Sequence, residues 1–223
     1  YRAEERTARN ERDTNVEVAT AYINGTVLLP GESASTSELM RERTEENGYR
    51  TGTQYNNGER EDAIGGGICQ VSTTLYLALL RSEIQVDERY PHSMEVSYVD
   101  PGMDAAISEG YKDLRFTNNK DFPIYIYGET DGYLVTFLIF GQKTNPNREV
   151  MFETVELYRN DPETVVVEDP TITPEESYSV AGSPEMEVEL WKIVKVDGVE
   201  TERIKLHTDY YAPMAAREVK GTG

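Results

Sequence analysis

Cysteine and histidine, the residues on which disulfide-rich and zinc-binding proteins depend, are almost absent from this chain. Its 223 residues include one cysteine, Cys69, and two histidines, His92 and His207. A single cysteine cannot form an internal disulfide, so a fold stapled by disulfides is excluded. A zinc site built from several cysteines or histidines is excluded as well, and we expect no metal and no other cofactor.

Basic stretches and long apolar runs are also missing. Residues 1–146 contain 24 acidic and 14 basic residues, and residues 147–223 contain 17 and 8, so both parts are acidic. Neither part offers the basic surface that binds nucleic acid or anionic lipid. No apolar run reaches the roughly 18–20 residues that span a membrane. Because the chain begins at Tyr1 rather than Met, we expect a fragment whose export signal or membrane anchor lies upstream.

Helical patterns are confined to the first third of the chain. The clearest helix runs from Ile68 to about Arg81, and shorter helices are predicted near residues 15–23 and 35–43. Strand patterns follow, separated by turn signals such as Asp197-Gly198. The predicted strands cover residues 26–29, 94–99, 105–107, 114–117, 124–127, 134–140, 150–158, 164–168, 185–196 and 200–208.

The order of these patterns predicts an α+β protein. Residues 1–146 are expected to form a domain of short helices and an antiparallel sheet. Residues 147–223 are expected to form a small all-β domain of extended antiparallel strands. The order of a glycine turn, a cysteine and an amphipathic helix suggests, by analogy alone, a transglutaminase-like or papain-like core for the first domain.

Several motifs of the first part resemble those of the VanW family, which is named for an accessory gene of vancomycin-resistance clusters. They are NGTVLLPGES at 24–33, RTEENGY at 43–49, GGGICQVSTTLY at 65–76, PHSMEVSYVDPGMDA at 91–105, DLRFTNN at 113–119 and PIYIY at 123–127. The resemblance covers residues 15–141 in the right order. It implies a protein of the bacterial cell wall, but no agreed biochemical activity.

The C-terminal sequence, from EDPTIT at 168–173 to EVKGTG at 218–223, resembles the five-glycine (G5) domain of surface proteins. Gly182, Gly198 and Gly221 match its glycine positions, although Ser183-Pro184 stands where a Pro-Gly pair is expected. The resemblance implies binding to peptidoglycan or another N-acetylglucosamine polymer outside the cell, at the wall or at the outer face of the membrane. The candidate sugar-stacking residues are Trp191, Tyr210 and Tyr211, for which a core or edge role is the alternative.

Cys69 is the candidate nucleophile. It lies in the first turn of the predicted Ile68–Arg81 helix, where the helix dipole favours a thiolate. Gly66 and Gly67 precede it and let backbone N–H groups approach an oxyanion. The alternative is a buried cysteine that only fills space.

A cysteine nucleophile needs a base and a group that orients the base. His92, 23 positions after Cys69, is the candidate base, and a half-buried histidine at a strand start is the alternative. A hairpin centred on Pro101-Gly102 would bring Asp113 diagonally beside His92, and would point Asp104 to the opposite face. We therefore predict Asp113 as the orienting acid. The remaining candidates are Glu109 as an alternative acid and Gln70 and Ser93 as polar lining residues.

Two functions remain open on the sequence alone. The first is a cysteine acyl-transferase or peptidase that attacks peptide bonds of peptidoglycan. The second is a non-catalytic module that binds a cell-wall polymer, in which the two domains gain avidity because they are linked.

Overall fold

A computed structural model describes residues 2–4, 11–56, 59–131 and 134–223. The helices are α1 (Glu11–Ile23), α2 (Thr36–Met40) and α3 (Ile68–Arg81). The strands of the first part are β1 (Arg2–Glu4), β2 (Thr26–Leu28), β3 (Ser33–Ser35), β4 (Thr51–Asn56), β5 (Glu59–Ile64), β6 (Gln85–Glu88), β7 (Arg115–Thr117), β8 (Ile124–Thr130) and β9 (Leu134–Phe140). Two turns that the sequence predicts, at residues 56–58 and 131–132, include positions outside the described residues.

The main sheet of the first part is antiparallel, with the strand order β1-β9-β8-β2. One face of this sheet packs against the core and the other faces solvent. In strand β8, for example, Ile124 and Ile126 are buried while Tyr125 between them is exposed. This alternation is typical of an antiparallel sheet with one solvated face. The α+β class and the antiparallel sheet predicted from the sequence are therefore confirmed.

Helix α3 is the central element of the fold. Eleven of its 14 residues are buried, because hydrophobic cores lie on two of its sides. Val71, Leu75 and Leu79 belong to the core of the first part. Leu77 belongs to a second, smaller core with Leu190 of the C-terminal strands. A helix that is apolar on most of its circumference is expected in such a buried position.

Residues 148–221 form two further sheets. Their strands are β10 (Arg148–Asn160), β11 (Thr164–Asp169), β12 (Tyr178–Val180), β13 (Glu185–Val196), β14 (Val199–Tyr211) and β15 (Ala216–Gly221). Strands β13 and β14 form a long hairpin whose turn residues, Asp197 and Gly198, both have positive φ, as the Asp-Gly signal predicts. The expectation of antiparallel strands is wrong for one pair, because β11 runs parallel to β15.

The two parts of the chain contact each other through apolar and charged groups. Met103 packs against Leu77 and Leu190 in the smaller core. At another point Glu83 accepts hydrogen bonds from Arg148 at 2.7 and 2.8 Å and from Lys192 at 2.5 Å. The first part and the C-terminal strands are thus packed together around Leu77 of α3 and at Glu83, two residues after the helix ends.

The predicted hairpin over residues 94–107 is wrong. Its turn is present, since Met103 N–H donates to Asp100 O at 3.0 Å and Gly102 has φ +86°. Within the described residues, however, the flanking segments form no ladder with each other. Their polar backbone groups bind α3 and the C-terminal strands instead, which local periodicity does not reveal.

The other differences concern element boundaries and the core analogy. Helix α1 begins at Glu11, four residues before the predicted start, and α2 ends at Met40 rather than Arg43. A transglutaminase-like or papain-like core is not confirmed. Among the residues that the structure describes, none of the helices has the length and apolar character that crossing a bilayer requires.

Candidate active site

The glycine turn before α3 is shaped by backbone conformations that favour glycine. Gly65 has φ +84°, and Gly67, the N-cap of α3, has φ +103°. Asn15 of α1 donates to Gly66 O at 3.0 Å and so holds the turn against the first helix. A β-carbon at Gly67 would lie 2.5 Å from Cγ of Arg12. The glycine conformations and the contacts with α1 therefore fix the position of the start of α3, and with it the position of Cys69.

The thiol of Cys69 is partly buried and lies beside the ring of His92. Its Sγ is 3.5 Å from the carbonyl oxygen of Ile107. Burial alone raises the pKa of Cys69, but the hydrogen bond and the positive charge of His92 outweigh it. The net direction is a lowered pKa, which favours the thiolate.

His92 is held between Cys69 and Asp104. Its Nδ1 lies 2.6 Å from Asp104 Oδ2, so the nitrogen left for the sulfur is Nε2. Burial by itself lowers the pKa of His92, but the bonds to Asp104 and Cys69 raise it to about 9 overall. A raised imidazole pKa and a lowered thiol pKa both shift the pair toward thiolate and imidazolium.

Asp104 is the acid that orients His92. It is fully buried, and its Oδ2 also accepts the backbone N–H of His92 at 2.6 Å. Its Oδ1 accepts from Arg89 Nη2 at 2.9 Å and from the hydroxyl of Tyr211 at 2.5 Å. Burial alone raises the pKa of Asp104, but its bonds to His92 and the charge of Arg89 lower it to about 2. The carboxylate is therefore charged at any physiological pH.

Residues 91–105, called the site loop below, carry both the imidazole and the carboxylate. One end is bound to α3, because Ala105 N–H donates to Thr73 Oγ1 at 3.0 Å. The two residues that flank the loop are also bonded to each other, because Ala106 N–H donates to Tyr90 O at 2.8 Å. These bonds bring residues that lie 23 and 35 positions after Cys69 back to its helix.

The predicted acid, Asp113, lies elsewhere. Its Oδ1 accepts the backbone N–H of Ser37 at 3.0 Å, and its Oδ2 accepts from Ser35 Oγ at 2.5 Å. Asp113 therefore stabilises the N-terminus of α2. The alternative acid, Glu109, is exposed and forms a 3.4 Å ion pair with Arg43. Both assignments depended on the hairpin register, and they fail because that hairpin does not form.

The residues predicted to form the oxyanion site and its polar lining differ in burial and in hydrogen bonding. Both backbone groups of Gly66 are engaged, since its N–H donates to Ala63 O at 3.3 Å and its carbonyl accepts from Asn15. The N–H of Gln70 already donates to Gly67 O at 3.1 Å, so the N–H groups of Ile68 and Cys69 are the ones that precede the first helical hydrogen bond of α3. Gln70 is buried, and its Oε1 accepts from Arg12. Ser93 has an exposed side chain, and its carbonyl accepts from Ala212 N–H at 2.7 Å.

Sequence reasoning missed three side chains of the site. Tyr98 packs edge-on against the ring of His92, with its hydroxyl 3.4 Å from Nε2. Arg89 and Tyr211 hold Asp104 from the side opposite His92. A usable signal did exist, because Asp104 is the only charged residue of the apolar run 103–107, and a buried carboxylate requires partners.

The aromatic residues predicted to stack on sugars differ in accessibility. Tyr211 is 1% exposed and bonded to Asp104, so the prediction of a sugar-stacking ring is wrong for it. Tyr210 is half exposed, and Trp191 is partly buried with its indole N–H bonded to Glu189 at 2.9 Å. His207 is partly buried, and its Nε2 lies 2.9 Å from the carbonyl oxygen of Gly102.

Comparison with known proteins decides the family of the first part. The sequence model described as "VanW like protein" matches residues 11–140, which is more than half of the chain. The chain belongs to the VanW family. The VanW region includes Cys69, His92 and Asp104, whereas Tyr211 lies beyond it.

Two curated relatives share this VanW region. The uncharacterized protein YoaR of Bacillus subtilis is 37% identical over 125 residues, which are 56% of this chain and 41% of YoaR. The vancomycin B-type resistance protein VanW of Enterococcus faecalis is 30% identical over 135 residues, which are 58% of this chain and 49% of that protein. The matched segment thus spans less than half the length of either relative.

Two solved G5 domains, the kind of domain predicted from the sequence, match about a third of this chain. The IgA1 protease G5 domain is 25% identical, with a TM-score of 0.22, and the match covers 37% of this chain and 98% of that one. The HP0197-G5 crystal structure is 20% identical, with a TM-score of 0.18, and the match covers 33% and 97%.

Proposed function

We propose that this VanW protein is a cysteine-dependent acyl-transferase or peptidase that acts on peptide bonds of peptidoglycan outside the cell. The supporting observation is the arrangement of three residues: His92 lowers the pKa of the Cys69 thiol, and its Nδ1 lies 2.6 Å from the buried carboxylate of Asp104. A nucleophile, a base and an orienting group in hydrogen-bond contact are the requirements of covalent acyl transfer.

The proposed first half-reaction begins from the thiolate–imidazolium pair. The Cys69 sulfur attacks the carbonyl carbon of the amide, and a C–S bond forms. The negative charge passes to the carbonyl oxygen, where N–H groups of the first turn of α3 can stabilise it. As the C–N bond breaks, the proton on Nε2 of His92 moves to the leaving amine, and a thioester remains on Cys69.

The second half-reaction decides between a peptidase and a transferase. Water or an acceptor amine gives its proton to neutral His92 and attacks the thioester carbon. The C–S bond then breaks, the thiolate returns, and the acyl group leaves as an acid or a new amide. Asp104 keeps its charge throughout, because its role is to orient the ring and stabilise the imidazolium.

The proposal of a cell-wall substrate follows from the family to which the chain belongs. One curated relative is described as a vancomycin B-type resistance protein, and vancomycin resistance concerns the bacterial wall. Location outside the cell, at the wall or the outer membrane face, belongs to the same proposal. The chain's acidity, with 41 acidic against 22 basic residues, argues against an anionic polymer as substrate.

The second candidate is a binding module without catalysis. It is favoured by the half-exposed ring of Tyr210 in β14, whose hydroxyl donates to Glu185 at 3.0 Å. An exposed aromatic ring with a carboxylate beside it suits stacking on a sugar of peptidoglycan or an N-acetylglucosamine polymer. In this candidate the thiol is incidental.

Mass spectrometry with soluble peptidoglycan stem peptides separates the candidates. Cys69 is the only cysteine, so a substrate-derived mass increase on its peptide reports one site. An enzyme gives cleaved or exchanged peptide and a hydroxylamine-sensitive adduct, and Cys69→Ser loses both. Retention on insoluble peptidoglycan with no turnover, unchanged in Cys69→Ser and weakened in Tyr210→Ala, would favour the binding module.

A further inference from the structure

We propose that the C-terminal strands are part of the catalytic apparatus, because Tyr211 and Asp209 of β14 position the acid of the VanW site. The proposal rests on the function proposed above. It makes Tyr211 and Asp209 positioning residues, since they act on Asp104 and do not touch the reacting atoms. The two parts of the chain would then form one functional unit and not a catalytic domain with a separate anchor.

Tyr211 controls the rotation of the Asp104 carboxylate. It is the last residue of β14, and its buried hydroxyl donates to Asp104 Oδ1 at 2.5 Å. The same hydroxyl accepts the N–H of Gly102 at 2.7 Å, so the proton it donates is directed at Asp104. Since Oδ1 is fixed by this bond, Oδ2 is directed toward His92. One phenol therefore holds both the carboxylate and the backbone next to it.

Asp209 acts on the same carboxylate through Arg89. Arg89 Nη2 lies 2.9 Å from Asp104 Oδ1, and Nη1 lies 2.5 Å from Asp209 Oδ2. The three side chains are at most 6% exposed. A buried guanidinium needs hydrogen-bond partners around its whole edge; Nε donates to the carbonyl oxygen of Asp104 at 2.6 Å, and Asp209 is the carboxylate that binds Nη1. Asp209 thus keeps Arg89 in the plane in which it binds Asp104.

Two further hydrogen bonds from the C-terminal part of the chain hold the rest of the site loop. Beside His92, Ala212 N–H donates to Ser93 O at 2.7 Å. Near Asp104, Thr154 Oγ1 of β10 donates to Pro101 O at 2.8 Å. The site loop is bonded to the C-terminal strands near both its base and its acid. Because the loop has no strand pairing of its own, its shape depends on these contacts.

The groups that face His92 come from every element packed around it. Cys69 approaches from α3, Asp104 from the site loop itself and Tyr98 across the ring edge. Behind Asp104 lie Arg89 and Tyr211. Of these, only Tyr211 is outside the VanW region, so removing its hydroxyl alters the contribution of the C-terminal strands alone.

The experiment compares Tyr211→Phe with the unmodified full chain by NMR titration of the imidazole of His92. The chain has two histidines, so a His92→Gln sample assigns the signals. We expect the pKa of His92 to fall from about 9 toward its ordinary value near 6.5. Without the Tyr211 hydroxyl the Asp104 carboxylate can rotate, and the hydrogen bond between its Oδ2 and Nδ1 of His92 is then lost. The alkylation rate of Cys69 at pH 6.5 should fall about 3- to 10-fold, for a thiol pKa raised by roughly half to one unit.

The direction of the His92 shift separates positioning from simple electrostatics. The Tyr211 hydroxyl draws charge from Asp104, so its loss without movement would strengthen the carboxylate as acceptor and raise the pKa of His92. A fall supports the proposal, and a rise or an unchanged pKa in a folded variant overturns it. Tyr178→Phe is the matched control, since Tyr178 is exposed in β12 of the same C-terminal part, and it should change nothing.

Two further measurements distinguish failure of the positioning proposal from misfolding of the variant and from failure of the proposed chemistry. If Tyr211→Phe does not fold, Asp209→Asn is tested by the same titration, and an unchanged His92 pKa in that variant overturns the proposal. If the pKa of Cys69 in the unmodified chain is that of a free thiol and does not change in His92→Gln, the proposed chemistry fails. The NMR titration of His92 still reports in that case whether Tyr211 positions Asp104.

Discussion

Asp104 Oδ2 accepts two hydrogen bonds from a single residue, His92, through its backbone N–H and through Nδ1, each at 2.6 Å. The two bonds fix both the position and the rotation of the imidazole. Nε2 is therefore left for Cys69, and the proton on Nδ1 is held by a carboxylate whose pKa is lowered to about 2. This geometry makes Asp104, and not the acid predicted from sequence, the residue to test.

Asp104→Asn should raise the pKa of the Cys69 thiol and slow any acyl transfer by roughly 10²- to 10⁴-fold, because a neutral amide no longer stabilises the imidazolium. The matched control is Asp113→Asn, which should weaken the N-terminus of α2 by about 1 kcal/mol and leave the thiol unchanged. The pH dependence of alkylation and urea unfolding measure the two effects. A thiol that responds to Asp113→Asn and not to Asp104→Asn would restore the sequence-based assignment.

Gly67→Ala should destabilise the protein and reduce the reactivity of Cys69. A left-handed conformation costs a non-glycine residue about 1–2 kcal/mol, and the new β-carbon would also meet Arg12 Cγ at 2.5 Å. Gly25→Ala is the control, since Gly25 has φ +89° but nothing within 4 Å of the added carbon. Thermal unfolding should show the larger loss for Gly67→Ala. Equal losses would mean that the Arg12 contact relaxes without cost.

Glu83→Gln should destabilise the contact between the two parts of the chain by about 1–3 kcal/mol at pH 7, because Glu83 accepts from both Arg148 and Lys192. Hydrogen bonds from Arg148 outweigh burial and lower the pKa of Glu83 to about 2, against roughly 4.3 when unfolded. Its contribution is therefore present above about pH 4.3 and is lost as pH falls toward 2.

The measurement for Glu83 is urea unfolding of both proteins from pH 7 down to pH 3. The difference in the free energy of unfolding should shrink as pH falls. Glu202→Gln is the control, since Glu202 is 44% exposed and meets Arg148 at 3.3 Å, which is worth less than about 1 kcal/mol. A difference that is independent of pH would argue against ionised Glu83 as the stabilising species.

The sequence predicted the parts of the site that depend on local pattern. The glycine turn, the α3 helix and the position of Cys69 follow from residues within about 20 positions of one another, and His92, the predicted base, lies beside Cys69. The start of α1 was placed too late because residues 11–14 are polar, while Asp13 and Asn15 are buried by contacts with later segments.

The orienting acid could not be predicted in the same way. Pairing by register assumes that the segments on either side of Pro101-Gly102 bond to each other. They bond instead to Thr73, 32 positions earlier, and to Tyr211, 107 positions after Asp104. Contacts over such separations leave no periodic signal, and only the isolated charge of Asp104 in an apolar run indicated a buried partner.

The central claim is that His92 activates Cys69, and the most direct test is the rate of iodoacetamide alkylation of the full chain from pH 5 to 10. Because the chain has one cysteine, the rate reports Cys69 alone. We predict a midpoint clearly below the free-thiol value near 8.5, and a midpoint displaced upward in His92→Gln. A midpoint at or above 8.5 that His92→Gln leaves in place would contradict the claim.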